Sequence, residues 1–209
     1  MFITFEGING SGKSTQAKML FNYLQSIGKD VILTKEPGGG GDFCMQIRRL
    51  LCQTNDISKL TEMFLLLAAR KEHIDKLISP ALSDGKIVIC DRYIDSTFAY
   101  QCCNDIEKTK LVWQLHNEIG GLMPDKTFFI DISVQESEYR LAPLLYSYIN
   151  DGNARNGYKK YDELTTEHMQ KILNIYHKLA KDNNGRIITI DGMQNIEDIH
   201  NQIIHELNV

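Results

Sequence analysis

Gly7-Ile8-Asn9-Gly10-Ser11-Gly12-Lys13-Ser14, set directly behind the apolar run Met1-Phe2-Ile3-Thr4-Phe5-Glu6, fits the pattern G-x-x-x-x-G-K-[ST]. A buried strand that ends in a glycine-rich turn and opens into a helix is the context in which this motif wraps a polyphosphate in backbone N–H groups. Glycines allow the tight turn and the close approach. Lys13 would reach the terminal phosphates, Ser14 would offer its hydroxyl to Mg²⁺, and the helix starting near Lys13 would aim its positive end at the anion. On this reading the ATP-binding stretch is Gly7, Ile8, Asn9, Gly10, Ser11, Gly12, Lys13, Ser14 and Thr15. The same device serves many unrelated functions, so the motif leaves the phosphate acceptor open.

Working outward, strands and helices alternate. Val31-Ile32-Leu33, Lys86 to Asp91, Thr127 to Asp131 and Arg186 to Ile190 join the first strand as short apolar runs. Helical spacing falls between them, as in Ala17, Leu20, Leu24 and in Ile196, Ile199, Ile203, Leu207. This predicts an α/β, P-loop NTPase-type three-layer fold: a five-stranded parallel sheet flanked by helices. Leu60 to Leu82 reads as one long helix that Pro80 ends or kinks. Its apolar face from Leu65 to Ile78 suits a core helix and a dimer interface equally well. Glu36-Pro37 followed by four glycines predicts a flexible loop, and the latter part of 141–158, with Pro143, Gly152 and Gly157, an exposed mobile one.

At 209 residues and 43% hydrophobic content the chain can bury a sizeable core as one unit. A net charge of −4 supplies no basic field for a long nucleic acid, although a few local arginines could still hold a small anion. Cys44, Cys52, Cys90, Cys102 and Cys103 form neither a C-x-x-C pair nor a zinc spacing, which predicts reduced thiols. No run approaches the ~18 apolar residues of a membrane span, so a cytoplasmic protein with no membrane partner is expected.

Asp91 closes a strand that would lie beside the phosphate loop, where open α/β sheets bind ligands, and its carboxylate can complete the Mg²⁺ site begun by Ser14. Capping the following helix is the competing role. Phosphoryl transfer also calls for cations around the moving phosphate, and Arg48, Arg70, Arg92, Arg140 and Arg155 are the candidates.

The strings Phe2-Ile3-Thr4-Phe5-Glu6-Gly7, Glu36-Pro37-Gly38-Gly39, Ala68-Ala69-Arg70-Lys71-Glu72-His73 and Asp91-Arg92-Tyr93 through Tyr100-Gln101 resemble bacterial thymidylate kinases in order and spacing. The resemblance implies transfer of the ATP γ-phosphate to dTMP with Mg²⁺, on a nucleoside-monophosphate-kinase fold that is usually a homodimer. It implies that Arg48, Arg70 and Arg92 hold the dTMP phosphate, that Glu36 and Pro37 belong to the substrate loop, that Thr97 and Gln101 face thymine, and that Tyr100 packs by the sugar. It further implies a lid at about 141–160 carrying the catalytic arginine that the phosphate loop lacks, since Gly10 stands where an arginine would otherwise be. Arg155 is the first candidate and Arg140 the second.

The departures from the family pattern cluster around the acceptor. Asn9 stands for a usual carboxylate, and Leu66 for a Phe that stacks on thymine, an aromatic contact of about 0.5–1.5 kcal/mol. Phe64 would face another side of the helix. Two alternatives stay open beside a dTMP kinase: a relaxed pyrimidine kinase that also takes dUMP, and a weakly catalytic nucleotide-binding module.

Overall fold

The computed structural model describes residues 1–54, 56–151 and 165–208, with backbone alone over 144–151. Its elements in chain order are β1 (Phe2–Glu6), α1 (Lys13–Ser26), β2 (Val31–Lys35), α2 (Asp42–Gln53) and α3 (Lys59–His73), which continues through a π turn (Ile74–Ile78) into α4 (Ser79–Ser83). Then follow β3 (Ile87–Asp91), α5 (Ile94–Thr97), a second π turn (Phe98–Cys102), α6 (Ile106–Glu118), β4 (Lys126–Asp131), α7 (Val134–Asp151), α8 (Thr166–Asp182), β5 (Ile187–Asp191) and α9 (Ile196–Leu207).

The five strands form one parallel sheet in the order β2-β3-β1-β4-β5. Every residue of β1 is buried, as a central strand covered on both faces must be. On one face Ile3, Phe5, Ile89 and Phe128 pack against Leu20 and Leu24 of α1 and Ile199 and Ile203 of α9. On the other, Phe2, Val88 and Cys90 meet Met63, Tyr93 and Val112, while Phe129 meets Ile172 and Tyr176. Helix starts are fixed locally: Ser58, Asp105, Thr165 and Asn195 each accept a backbone N–H three residues on. Each such cap is worth about 1 kcal/mol.

Register places the chemistry. Phe5 pairs with Asp91 across β1 and β3, so the turn leaving β1 and the residues leaving β3 emerge side by side at the carboxyl edge.

Two expectations change, and a third, the loop expected in the latter part of 141–158, lies mostly outside the described residues. The Leu60–Leu82 segment is helical throughout but not uniformly α. Pro80 lies in the first turn of α4, and the wider π turn just before it accommodates the missing donor and the bulk of the ring. Pro143 does not end its helix, because one proline removes one hydrogen bond and α7 carries on to Asp151. The first part of the expected lid, 141–151, is therefore helix, and the remainder, with Arg155, lies outside the described residues. Finally, the Glu36–Gly41 loop is packed rather than loose. A Cβ on Gly39 would stand 2.3 Å from Thr34 Oγ1 and 2.5 Å from His73 Nε2, so the glycine serves close approach instead of freedom.

Candidate active site

The phosphate loop is held in conformations that side chains resist. Gly7 (φ +142°) turns where a Cβ would meet the Ile130 carbonyl at 2.6 Å, and Gly12 (φ +95°) opens α1. Lys13 is buried, and its Nζ donates to the Ile8 carbonyl at 3.0 Å, so the ammonium already lies inside the loop it serves. Ser14 Oγ donates to Asp91 Oδ2, joining the start of α1 to the end of β3. The other carboxylate oxygen, Oδ1, is buried and has no hydrogen-bond partner among the described residues. A hydroxyl and a half-satisfied carboxylate suit Mg²⁺, which takes few protein oxygens and completes its shell with phosphate and water. Among the described residues no cluster of three His, Cys, Asp or Glu groups could hold a metal by itself, so the phosphates would supply much of the shell.

On the acceptor side, Arg92 takes a left-handed backbone (φ 71°), at a cost of roughly 1–2 kcal/mol for a non-glycine residue. That turn directs its guanidinium back to the phosphate loop. Nη1 donates to the Gly7 carbonyl at 3.0 Å and Ser96 Oγ at 3.1 Å, and Nη2 donates to Asn9 Oδ1 at 2.6 Å. The Tyr100 ring lies 5.1 Å from Cζ. Burial opposes the Arg92 charge, but Tyr100, Tyr176, Glu6 and Asp91 more than offset it and raise the pKa above its usual value.

Arg70 is fully enclosed. Its Nε donates to Glu36 Oε2 at 2.8 Å, Nη2 donates to Thr97 Oγ1 at 3.0 Å, and Nη1 has no partner among the described residues. Burial would raise the Glu36 pKa, but Arg70 and His73 outweigh it and hold the carboxyl below its usual value. His73 links the helix to the glycine loop, with Nδ1 3.0 Å from Glu36 Oε1 and Nε2 2.8 Å from Thr34 Oγ1.

A cavity open to solvent lies between these groups. Arg70, Arg92, Thr97, Tyr100 and Gln101 line it, with Glu36 and Pro37 on the loop side and Leu66 on α3. Asn9 reaches it too, from the phosphate loop. Of the acceptor residues expected from sequence, Arg48 alone is not on its wall; Nη1 donates to the Pro37 carbonyl at 2.6 Å. Phe64 is exposed, as the helical spacing requires.

A second cavity lies on the other side of the phosphate loop, between Gly10, Gly12, Thr15 and the turn from Gly192 to Ile196. Arg140 borders it. Its Nε donates to Glu136 at 2.7 Å and Nη2 to the Gly192 carbonyl at 2.9 Å, while Nη1 lies 3.4 Å from the Gly10 carbonyl.

Glu6 and Glu62 are buried carboxylates that the sequence reading did not single out. Glu6 accepts from Tyr93 N (2.7 Å), Ser96 Oγ (2.6 Å) and Tyr176 OH (3.0 Å), and burial, then the Asp95 charge, pushes its pKa up to about 7. Its signal was an acid closing an otherwise apolar strand. Glu62, with no exposed surface, accepts from Gln101 Nε2 at 2.6 Å. Nothing local marks it.

Comparison with known proteins gives one result. The family model described as thymidylate kinase matches residues 5–203. The thymidylate kinase of Wolbachia pipientis wMel is 39% identical over 211 residues, covering 99% of this chain and 100% of that protein. That of Halothermothrix orenii is 41% identical over 213 residues, covering 99% and 96%. The crystal structure of thymidylate kinase from Ehrlichia chaffeensis superposes with a TM-score of 0.76 at 34% identity, covering 100% of this chain and 98% of that one.

Proposed function

The chain belongs to the thymidylate kinase family, and from that premise we propose how its residues divide the work of moving the γ-phosphate of ATP onto dTMP. The activity is that of a dTMP kinase, yielding dTDP and ADP, so the relaxed and non-catalytic alternatives are not favoured.

The observation that carries the assignment of roles is the Arg92 guanidinium. One planar group bonds the phosphate loop at Gly7 and Asn9 and also lines the acceptor cavity, so it stands where donor and acceptor phosphates must meet. The γ-phosphate of ATP lies in the loop, gripped by the N–H groups of 7–15 and by Lys13. dTMP occupies the acceptor cavity, its phosphate toward Arg92, Arg70 and Arg48, its base toward Leu66, Thr97 and Gln101. Guanidiniums fixed by Glu36 and Asn9 hold the acceptor oxygen in line with the γ-phosphorus without reorganising during transfer. Ser14 and Asp91 would hold Mg²⁺, which would supply charge neutralisation at the transferring phosphate. Arg140, tied to Gly192, braces the ATP side, and the lid arginine is assigned to Arg155 within the lid at about 141–160. Closure of that lid excludes water, a competing acceptor. We read the chain as a single domain that works as a cytoplasmic homodimer; among the described residues no helix is long and apolar enough to cross a membrane.

The test is a coupled ADP-release assay with Mg²⁺ and ATP, offering dTMP, dUMP, dCMP, dGMP and AMP in parallel. Transfer to dTMP that falls at least 100-fold in Arg92→Ala supports the division of roles, on the scale expected for one charge-stabilising group. An Arg92→Ala enzyme within tenfold of the unaltered one overturns it.

A further inference from the structure

Gln101 sits on the π turn Phe98–Cys102 and is 4% exposed; Glu62, in the first turn of α3, is 0% exposed. The two side chains meet at 2.6 Å, Gln101 Nε2 donating to Glu62 Oε1. At this contact Glu62 is the acceptor, so it takes the donor end of the amide. The NH₂ goes to Glu62. The carbonyl oxygen is thereby turned away from α3, and Gln101 lines the cavity beside Thr97, Tyr100 and Leu66.

We propose that Glu62 is a positioning residue for base selection: by holding the Gln101 NH₂ it presents the Gln101 carbonyl oxygen to the substrate base, where the N3–H of thymine or uracil answers it and cytosine N3 does not. This rests on dTMP occupying that cavity. The deduction from there is chemical. Along its polar edge a thymine offers acceptors at O2 and O4 and one donor, N3–H. A carbonyl oxygen can pair only with the donor. Cytosine carries a lone pair at N3, so the same geometry sets two acceptors against each other, and an unsatisfied buried polar pair is what a specific site uses to reject a near-isostere. With the amide reversed, its NH₂ would match O4 or cytosine N3 alike, and the discrimination would vanish. The carbonyl has two lone pairs, so a second contact within the protein leaves the pairing available.

The experiment is Glu62→Gln, whose amide can face Gln101 with either end and so frees it to reverse. For the unaltered enzyme and the variant, kcat and KM are measured with dTMP, dUMP and dCMP, together with the melting temperature. The expected result is a tenfold or larger fall in the ratio of kcat/KM for dTMP over dCMP. The dTMP loss should be carried by KM, with dUMP moving in parallel, because uracil shares the N3–H. An unmoved ratio in a variant that melts with the unaltered protein overturns this proposal alone; no transfer to dTMP by the unaltered protein overturns it together with the functional reading. Should Glu62→Gln not fold, the side-chain amide of Gln101 is followed by NMR in the unaltered protein during dTMP titration. Its NH₂ resonances are expected to stay near their starting positions because the Glu62 bond persists, and displacement onto the nucleotide overturns the proposal.

Discussion

Replacing Gly39 by alanine tests whether the glycine loop is a packed part of the acceptor site. The added Cβ would lie 2.3 Å from Thr34 Oγ1, 2.5 Å from His73 Nε2 and 2.7 Å from the Lys35 carbonyl, against ordinary contacts of about 3.4–4 Å. None of the three can yield cheaply. Thr34 and His73 are buried and bonded to each other at 2.8 Å, and the third atom is backbone. Forcing them apart combines overpacking, about 1–3 kcal/mol, with loss of the Thr34 and Glu36 bonds of His73, about 1 kcal/mol each. The sum is about 3–5 kcal/mol, a fall in melting temperature on the order of 10 °C for a chain of this size. Function should suffer selectively, because His73 holds Glu36 and Glu36 holds Arg70. The dTMP KM is expected to rise about tenfold, equivalent to about 1.4 kcal/mol, with little change in the ATP KM. Gly185→Ala is the control: a Cβ there meets nothing within 4 Å, and the change should be neutral. A Gly39→Ala protein that melts within 2 °C of the unaltered one would refute the packing argument.

Asp91→Asn should lower transfer about 100-fold at saturating ATP and raise the Mg²⁺ concentration needed for half-maximal rate, since it weakens the oxygen set at the metal. Calorimetry of ATP without metal should change little; a rate within a few-fold of normal would rule out the assigned role. For Glu6, the folded pKa of about 7 lies above the 4.5 of an unburied glutamate. The folded protein therefore binds the extra proton between those values, and stability should decline as pH rises from about 4.5 to about 7, then level off. Glu6→Gln should flatten that slope in denaturant titrations, and an unaltered slope would assign it to another group.

The sheet was legible because its central strands are near-continuous apolar runs, as a parallel sheet covered on both faces requires. The phosphate loop and Asp91 were legible for a different reason: one is a local motif, the other a strand end, and both need only short-range sequence to be placed. The Glu36–Gly41 loop misled because propensity speaks of isolated segments, whereas what decides its state is His73 pressing in on Gly39 and Gly40. The carboxylates were hidden for the same cause. Glu62 sits among helical neighbours that say nothing of Gln101, and Glu6 finds Tyr176 at the far end of the chain, so their burial is a property of tertiary pairing alone.

The left-handed backbone at Arg92 carries a consequence for how this protein can change. Glycine relaxes at φ 71°, and arginine does not. The side chain pulls the other way, since its bonds to Gly7, Asn9 and Ser96 outweigh the backbone strain they hold in place. Exchange to glycine would therefore relax the backbone and still lower stability, so a screen on heat resistance alone would keep the arginine.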